Sequence, residues 1–402
     1  MKKRVVVTGL GAISSIGIGK DSFWDSLMGG KSGISQVTAF DTSNHNTHVG
    51  GQIKKFNAAD YMAKKRSKYI GRTSQMAIAA AKLALKDAKL INWGISKYNV
   101  SVCLGTTMGE IESVEKADRT WIKMGREEVN NLYLYESPVN NLPSNIAIEF
   151  KLRGKNRIFT TACAAGNYAI GYGYDLLRSG SSDIIIAGGA DALSWIAFTG
   201  FNKVRATAPE KCQPFDKNRK GMIPGEGAGI VVLEPLEQAQ KRNAHIYAEI
   251  AGYGLSCDAN HMTNPHMDGV SSCMENALNE AGLEPSDVDY ISAHGTGTIH
   301  NDRVESAAIR KIFGNNKVAV SSSKSMLGHA MGAASALEAI ACCLAVERDE
   351  IPPTINYETP DPECDIDCVP NFARKHTVNI ALNNGFAFGG NNACLVVKKF
   401  SQ

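Results

Sequence analysis

An internal repeat limits what this chain can fold into more than any other feature of its sequence. The pattern Ala-Leu-Lys-Asp-Ala-Lys-Leu at 84–90 returns as Ala-Leu-Asn-Glu-Ala-Gly-Leu at 277–283, and each copy precedes a strand-like run that leads to Gly-Thr. Both halves also close alike, with a glycine-rich approach and an apolar strand at 225–232 and at 389–397. A period of roughly 190 residues is far too long for a solenoid. We therefore predict two fused copies of one unit.

Strand-like and helix-like patterns alternate along both halves. Helical patterns lie at 74–88 and 272–281, where apolar residues recur with the period of an α-helix. Alternation of this kind is typical of α/β layers around buried sheets. We expect the first unit at residues 1–240 and the second at 241–402. The strand-like runs are 4–8, 100–104, 157–160, 183–187, 229–233, 247–251, 288–292, 318–321, 378–382 and 393–397.

Charge and hydropathy exclude several classes of protein. The 402 residues carry 43 Lys plus Arg against 40 Asp plus Glu, a formal net charge of +3, so we expect no nucleic-acid partner. No apolar run approaches the roughly 18 residues that a membrane-spanning helix requires. The basic start imitates a signal peptide, but Thr8, Gly9 and Gly11 interrupt its apolar stretch and favour a strand. We expect a cytoplasmic protein with no membrane partner.

Neither the cysteines nor the glycine motifs predict a cofactor. Ten cysteines are scattered over a long chain, which favours reduced, buried thiols over a disulfide framework. Cys364 and Cys368 are close in sequence, but no second pair at zinc spacing accompanies them, so we expect no metal. Gly9 and Gly11 follow the first strand, yet Ser14 stands where a dinucleotide fingerprint needs its third glycine. We expect no nucleotide cofactor.

One cysteine and two histidines lie next to predicted strand ends. Cys163 lies between the run 157–160 and a helical pattern, where the helix N-terminus favours thiolate and therefore nucleophilicity. His294 directly follows the run 288–292, and His329 precedes a helix of small residues. Residues just past strand ends line the ligand crevice of α/β sheets. A buried structural role is the alternative for each residue, although it explains three such positions together less well.

Five motifs occur in a fixed order along essentially the whole chain. They are Thr-Ala-Cys-Ala-Ala-Gly at 161–166, Pro-Phe-Asp-Lys-Asn-Arg at 214–219 with Gly-Glu-Gly-Ala-Gly at 225–229, Ala-His-Gly-Thr-Gly-Thr at 293–298, Lys-Ser-Met-Leu-Gly-His at 324–329 and Gly-Phe-Ala-Phe-Gly-Gly at 385–390. In this order they resemble the β-ketoacyl-ACP synthase I/II family. The resemblance implies an α/β thiolase fold, a five-layered αβαβα body of two duplicated halves that is usually a dimer.

The resemblance also implies a 3-oxoacyl-ACP synthase that performs a decarboxylative Claisen condensation. Cys163 would be the nucleophile that takes an acyl group from acyl carrier protein as a thioester. His294 and His329 would hold the thioester carbonyl of a malonyl extender, so that loss of CO2 leaves an enolate stabilised by their hydrogen bonds. The backbone N–H groups of Cys163 and Phe388 would bind the tetrahedral oxyanion, and Phe388 would gate the acyl pocket. Both substrates would be carried as thioesters on the phosphopantetheine of the carrier protein, and no metal or redox cofactor is implied.

Four further residues match supporting positions of the family. Lys324 and Glu338 would form a charged pair that supports the second histidine. A buried ion pair that only fixes a strand to a helix is the alternative. Thr296 and Thr298 would contact the pantetheine arm, with strand-end hydrogen bonding as the alternative.

The densest basic cluster of the chain consists of Lys64, Lys65, Arg66, Lys68 and Arg72. Carrier proteins of this class are acidic, so the cluster would steer their docking by a long-range attraction that salt weakens. An ordinary solvated helix face is the alternative.

Several residues differ from those common in the fatty-acid enzymes of the family, and these differences bear on the pathway in which the chain acts. Ala164 and Ala165 stand where Thr-Ser or Ser-Ser is commoner, and Ala387 replaces a glycine, which would stiffen the gate because alanine lacks glycine's access to positive φ. The segment Asn-Asp-Arg-Val-Glu at 301–305 looks like ketosynthases of type II polyketide systems. There the catalytic subunit pairs with a cysteine-lacking chain-length factor. Fatty acid and polyketide elongation both stay open, as do a homodimer and a heterodimer.

Two functions outside this assignment are also open. One is a non-catalytic chain-length or scaffold subunit, which the retention of Cys163, His294 and His329 argues against. The other is a small-molecule-binding α/β protein in which every cysteine belongs to the core.

Overall fold

Buried apolar runs form the strands in both halves of the chain. The computed structural model describes residues 3–91, 94–314 and 318–401. The strands of the first half are β1 (Val5–Ser14), β2 (Gly17–Ile18), β3 (Ser35–Gln36), β4 (Val49–Gly50), β5 (Val100–Gly105), β6 (Asn156–Phe159), β7 (Ile184–Asp191) and β8 (Gly227–Pro235). Those of the second half are β9 (Ala248–Cys257), β10 (Tyr290–Ser292), β11 (Ala319–Ser321), β12 (Glu350–Ile351), β13 (Arg374–Lys375), β14 (Ile380–Phe386) and β15 (Asn391–Lys398).

The helices lie between these strands. In the first half they are α1 (Lys20–Met28), α2 (Lys64–Ser67), α3 (Arg72–Asp87), α4 (Ile111–Met124), α5 (Asn131–Glu136), α6 (Asn141–Phe150), α7 (Ala165–Arg178), α8 (Trp195–Lys203) and α9 (Leu236–Lys241). In the second half they are α10 (Met267–Ala281), α11 (Ile299–Phe313), α12 (Lys324–Leu327) and α13 (Ala334–Arg348). Among the described residues, every helix is too short or too polar to span a lipid bilayer.

The strand order repeats between the halves. Hydrogen bonding runs in the order β11-β10-β14-β15-β9-β1-β8-β7-β5-β6. In the first half β5 runs parallel to β6 and β7, and β8 runs antiparallel to β7 and β1. In the second half β10 runs parallel to β11 and β14, and β15 runs antiparallel to β14 and β9. The predicted duplication is therefore confirmed, and each of the ten predicted strands overlaps one of these ten.

Helices cover both faces of the two half-sheets. On one outside face, α3 packs on β1 and β8, and α6 packs on β5. Between the half-sheets, α7 packs on β5 and β7, while α13 packs on β8, β14 and α7. On the other outside face, α10 packs on β9 and β15 and also contacts α11. The body is a five-layered αβαβα thiolase fold, as predicted.

The central helix α13 explains how the halves hold together. Its residues from Ala334 to Val346 are all buried, because it is apolar around its whole circumference and has no face left for water. The half-sheets also join directly where β1 pairs with β9, from Val5–Val7 to Ala248–Ile250. The division into units at 1–240 and 241–402 stays a prediction.

Candidate active site

Cys163 lies on a sharp turn between β6 and α7. The strand ends at Phe159, a single 3-10 turn covers Ala162–Ala164, and α7 begins at Ala165. Ala162 has a φ of 48°, in the left-handed region that is uncommon for a residue with a Cβ. This kink turns the chain so abruptly that Cys163 stands at the beginning of the buried central helix, as predicted, and is only 8% exposed.

Opposing effects act on the ionisation of Cys163. A helix N-terminus favours thiolate, but burial raises the pKa of the free thiol to about 12. The charge of Lys324 and the backbone N–H groups of Cys163 and Phe388 act in the opposite direction, without overcoming burial. The favourable effect of the helix N-terminus on the thiolate therefore stays a prediction, and burial acts against it. The two backbone N–H groups nevertheless face the sulfur, where the oxyanion hole was predicted.

The two histidines meet Cys163 from the second half of the chain. His294 follows β10 and His329 follows α12, and their rings lie edge to face with centroids 5.5 Å apart. The Nε2 atom of His329 is 3.0 Å from Cys163 Sγ. One side-chain nitrogen of each histidine and the sulfur all lie within 4.8 Å of one another. The three sequence-predicted residues thus form one cluster, to which the first half contributes the cysteine and the second half both histidines.

Backbone hydrogen bonds fix the orientation and the tautomer of His329. Its main chain bonds to Ile223 and Gly225, and the backbone N–H of Met331 donates to Nδ1 over 3.1 Å. A neutral ring with Nδ1 as acceptor carries its proton on Nε2. The Nε2–H group therefore points at the sulfur as a donor. A metal would need the Nε2 lone pair, so this set of Cys and His side chains suits hydrogen-bond donation better than ligation.

Both histidines are held neutral. Burial lowers the pKa of His294 and of His329 well below 6.5, and the positive charge of Lys324 lowers it further. Lys324 is itself buried and lies 2.5 Å from a carboxylate oxygen of Glu338, on α13. Burial raises the pKa of that carboxyl group. The predicted charged pair therefore exists in the core, and its lysine acts electrostatically on both histidines.

A cavity above this cluster contains the other predicted substrate contacts. Thr296 and Thr298 line it and share a hydrogen bond of 2.9 Å between their hydroxyl groups. Phe388 lines it too, and its ring lies 5.9 Å from that of Phe201. Phe388 is 37% exposed, so it stands at the mouth, where a gate would be.

The expected stiffening of the gate at Ala387 stays a prediction. Ala387 is not among the positive-φ residues, whereas Gly389 and Gly390 have φ values of 84° and 74°. The left-handed conformation that only glycine adopts freely is thus supplied two and three residues later. Ala164 and Ala165 have ordinary helical φ values of −85° and −57°.

Three buried carboxylates at the site were not identified as functional from the sequence. Glu305 on α11 accepts the backbone N–H groups of His294 and Gly295, each over 2.8 Å. Asp302, one turn earlier, accepts the N–H of Gly297. Asp191 at the end of β7 is the third. A glycine-rich loop followed by acidic residues in the first two turns of a helix is the signal that could have revealed the first two.

The basic cluster divides between free and engaged side chains. Lys64, Lys65 and Lys68 are exposed on and beside α2. Arg66 instead pairs with Glu149 on α6, and Arg72 pairs with the buried carboxylate of Glu226. Only the three lysines therefore present charge to a partner.

Known proteins match this chain over its full length. Residues 2–239 match the family described as Beta-ketoacyl synthase, N-terminal domain, and residues 247–358 match Beta-ketoacyl synthase, C-terminal domain. Two curated relatives named 3-oxoacyl-[acyl-carrier-protein] synthase 2, from Synechocystis sp. and Staphylococcus aureus, are each 40% identical, with 99% of this chain and 99% of the relative covered.

Solved structures agree with the sequence comparison. The structure described as "The ishigamide ketosynthase/chain length factor" has a TM-score of 0.98 and 43% identity, with 100% of each chain covered. A type II polyketide synthase acyl carrier protein in complex with its ketosynthase has a TM-score of 0.89 and 32% identity, again with 100% of each chain covered. The chain therefore belongs to the β-ketoacyl synthase family of condensing acyltransferases, with both domains of that family.

Proposed function

We propose that this chain is a 3-oxoacyl-[acyl-carrier-protein] synthase, the catalytic ketosynthase of a type II polyketide or polyene system. The buried cluster of Cys163, His294 and His329 carries the proposal, because it joins a nucleophile to two neutral donors at the base of one cavity. The likeness to a ketosynthase/chain length factor supports the polyketide branch.

The first step is acyl transfer to Cys163. The sulfur attacks the thioester carbonyl of acyl-ACP, and the thiol proton passes to the departing thiolate of the carrier. The oxyanion of the tetrahedral intermediate lies between the backbone N–H groups of Cys163 and Phe388, which already face the sulfur. A thiol with a raised pKa loses its proton only as the bond forms, which protects it from unwanted alkylation.

The second step is decarboxylation and condensation. The Nε2–H groups of neutral His294 and His329 donate to the thioester carbonyl of malonyl-ACP, and the negative charge that develops as CO2 leaves strengthens these bonds. The enolate carbon then attacks acyl-Cys163, the C–S bond breaks, and the released sulfur takes up a proton from water. The product is a 3-oxoacyl-ACP. These residues need no metal or redox cofactor for the reaction.

An acidic carrier protein docks on the exposed lysines in this proposal. A Lys65→Glu/Lys68→Glu variant should raise the apparent KM for carrier-bound substrates and weaken its dependence on salt, because the charges act over a Debye length of about 10 Å at 0.1 M. Steady-state kinetics at two salt concentrations measure this. The control variant Lys86→Glu/Lys89→Glu makes the same charge change at the end of α3. Equal KM values for the two variants would remove the docking assignment.

A chain-length-factor-type subunit is the proposed partner, and it covers an apolar face on α4 and α5. This face consists of large exposed side chains, namely Trp121, Ile122, Met124, Leu134 and Tyr135. Several large exposed apolar side chains on two helices in contact with each other are the composition expected of an interaction surface. The ten cysteines, all free in the described structure, fit a reducing compartment such as the cytoplasm.

Intact mass spectrometry tests the function. The purified chain is incubated with acyl-ACP and malonyl-ACP, with Cys163→Ala in parallel. We expect an acyl adduct on the wild type and none on the variant, and a 3-oxoacyl-ACP product once a chain-length-factor partner is added. Absence of adduct and product under both conditions would refute the catalytic assignment.

Fatty acid elongation by a homodimer is the second candidate, favoured by the curated relatives named 3-oxoacyl-[acyl-carrier-protein] synthase 2. The same experiment separates the two candidates. A product formed by the chain alone would favour the homodimer, and a product that requires the second subunit would favour the polyketide system.

A further inference from the structure

The duplication extends to the turn that holds the nucleophile. Ala162, with φ of 48°, opens the 3-10 turn Ala162–Ala164 before the central helix α7. Met331, with φ of 53°, opens the 3-10 turn Met331–Ala333 before the central helix α13. The turns share a hydrogen bond from their third residue to the residue before the kink. The second half thus has its own copy of the nucleophile turn.

The second turn has a glycine where the first has its cysteine. The residue after the left-handed position is Cys163 in the first half and Gly332 in the second. A Cβ at Gly332 would come within 2.7 Å of the Thr106 backbone and 2.8 Å of an Asp191 carboxylate oxygen. No side chain fits there, because the carboxylate of Asp191 fills the position that a nucleophile would take.

Asp191 accepts four hydrogen bonds in this position. The backbone N–H of Gly332 donates over 2.7 Å, the N–H groups of Thr107 and Met108 over 2.7 and 3.0 Å, and the hydroxyl of Thr106 over 2.7 Å. Asp191 is completely buried. Burial raises the pKa of Asp191 to about 6, while the hydrogen bonds from the turn before α13 and from the segment after β5 stabilise the charged form.

The same carboxylate binds the residue next to the one that donates to His329. Met331 donates its N–H to His329 Nδ1, and Gly332, the next residue, donates its N–H to Asp191. The Met331–Gly332 segment is therefore held between the histidine and the aspartate. We propose that Asp191 is a positioning residue, which fixes this segment so that His329 keeps Nδ1 as acceptor and Nε2–H as the donor to substrate. The inference rests on the proposed function of His329.

Removal of the Asp191 charge should affect the two half-reactions differently. Asp191→Asn replaces one acceptor oxygen with an NH2 group that opposes the surrounding N–H donors, so the segment loosens. We expect decarboxylation of malonyl-ACP to fall about tenfold or more, in the range seen when residues behind a reacting group are lost. Acyl transfer to Cys163 should stay unchanged or become faster, because the charge of Asp191 raises the pKa of that thiol. The two rates are measured separately, by CO2 release and by intact mass.

A matched control separates positioning from a general loss of stability. Asp216 is also completely buried and accepts three backbone N–H groups, from Asn218, Glu358 and Thr359. It has no contact with the Met331–Gly332 segment in the described hydrogen bonds. Asp216→Asn should therefore lower stability without changing the ratio of the two half-reactions. Equal ratios in the Asp191 and Asp216 variants would overturn the proposal.

A spectroscopic readout makes the inference independent of activity. In protein labelled with 15N-histidine, two-bond 1H–15N correlations should show His329 with an unprotonated Nδ1, and the signal is assigned by its loss in His329→Gln. Asp191→Asn should populate the opposite tautomer. A wild type with its proton on Nδ1 would overturn the inference, whereas a wild type without acyl adduct or decarboxylation would overturn the proposed function instead.

Thr106→Val provides a second variant if Asp191→Asn does not fold. It removes one of the four donors and leaves the carboxylate in place. We expect a smaller fall in decarboxylation with unchanged acyl transfer. A Thr106→Val protein that decarboxylates like the wild type would show that the carboxylate is only structural.

Discussion

At the scale of single residues, burial sets the chemistry of the site. The same desolvation keeps Cys163 a thiol and His294 and His329 neutral, because each charged form is disfavoured away from water. The charge of Lys324 lowers the pKa of Cys163, against the effect of burial. It also lowers the pKa of both histidines, in the same direction as burial. One lysine thus moves both groups toward the states that condensation requires.

A Lys324→Met variant should therefore raise the pKa of both histidines and of Cys163. The neutral histidines are present above their pKa, so the loss of decarboxylation at acid pH should begin at a higher pH than in the wild type. Glu338, left without its partner, acts in the same direction if it stays ionised. The pH profile of CO2 release measures this, and iodoacetamide labelling of Cys163 should slow at any fixed pH.

Lys82→Met, a half-buried lysine on α3, is the control for this prediction. Its profile should match that of the wild type. If the Lys324→Met variant loses activity at the same pH as the wild type, or at a lower pH, the electrostatic role of Lys324 is contradicted.

The sequence motifs predicted part of the site, and the other residues were found only from the contacts in the structure. Cys163, His294 and His329 are identifiable because each follows a strand pattern within an ordered motif. Glu305 and Asp191 both bind backbone N–H groups. The glycine-rich loop before α11 is a sequence signal for Glu305, but no local pattern shows that Asp191 meets Gly332, so Asp191 could not be assigned.

At the scale of elements, close approach between α3 and β1 depends on small residues. A Cβ on Gly11 would come within 2.0 Å of the Ala80 carbonyl oxygen and 2.8 Å of the Ala84 nitrogen. Helix and strand backbones therefore touch with no side chain between them. The small side chains of glycine and alanine therefore determine the distance between α3 and the sheet of the first half.

Gly11→Ala should destabilise the protein by about 2 kcal/mol or more, because neither backbone can move away without opening the core. Urea unfolding followed by circular dichroism measures the loss. Gly200→Ala on α8 is the control, since a Cβ there meets nothing within 4 Å. It should be neutral or stabilising by up to about 1 kcal/mol. Equal stability of the two variants would refute the close-packing argument.

At the scale of the whole molecule, the apolar face on α4 and α5 is the surface on which we propose that the partner binds. Ile122 is 84% exposed and Tyr135 is 76% exposed. Such side chains gain free energy only when a partner covers them, by about 1.5–3 kcal/mol for a fully buried isoleucine.

Ile122→Asp should therefore weaken assembly with the partner by tenfold or more, since about 1.4 kcal/mol corresponds to tenfold. Thermal stability of the single chain should change little, because the side chain is exposed. Sedimentation velocity over a concentration series measures the assembly. Phe372→Asp, at another exposed position (83%), is the control and should assemble normally. Normal assembly of Ile122→Asp would mean that the partner binds elsewhere.

The sequence by itself determined the duplication, the ten strands of the half-sheets and the positions of Cys163, His294 and His329. Hydrophobic periodicity and the order of the motifs can be read along the chain without knowledge of tertiary contacts, and they are sufficient for these three features. The tertiary structure alone decided that Asp191 reaches Gly332, which is 141 residues away, and that burial raises the pKa of Cys163. Both follow from packing α7 and α13 between two half-sheets, which joins distant segments and removes water from between them.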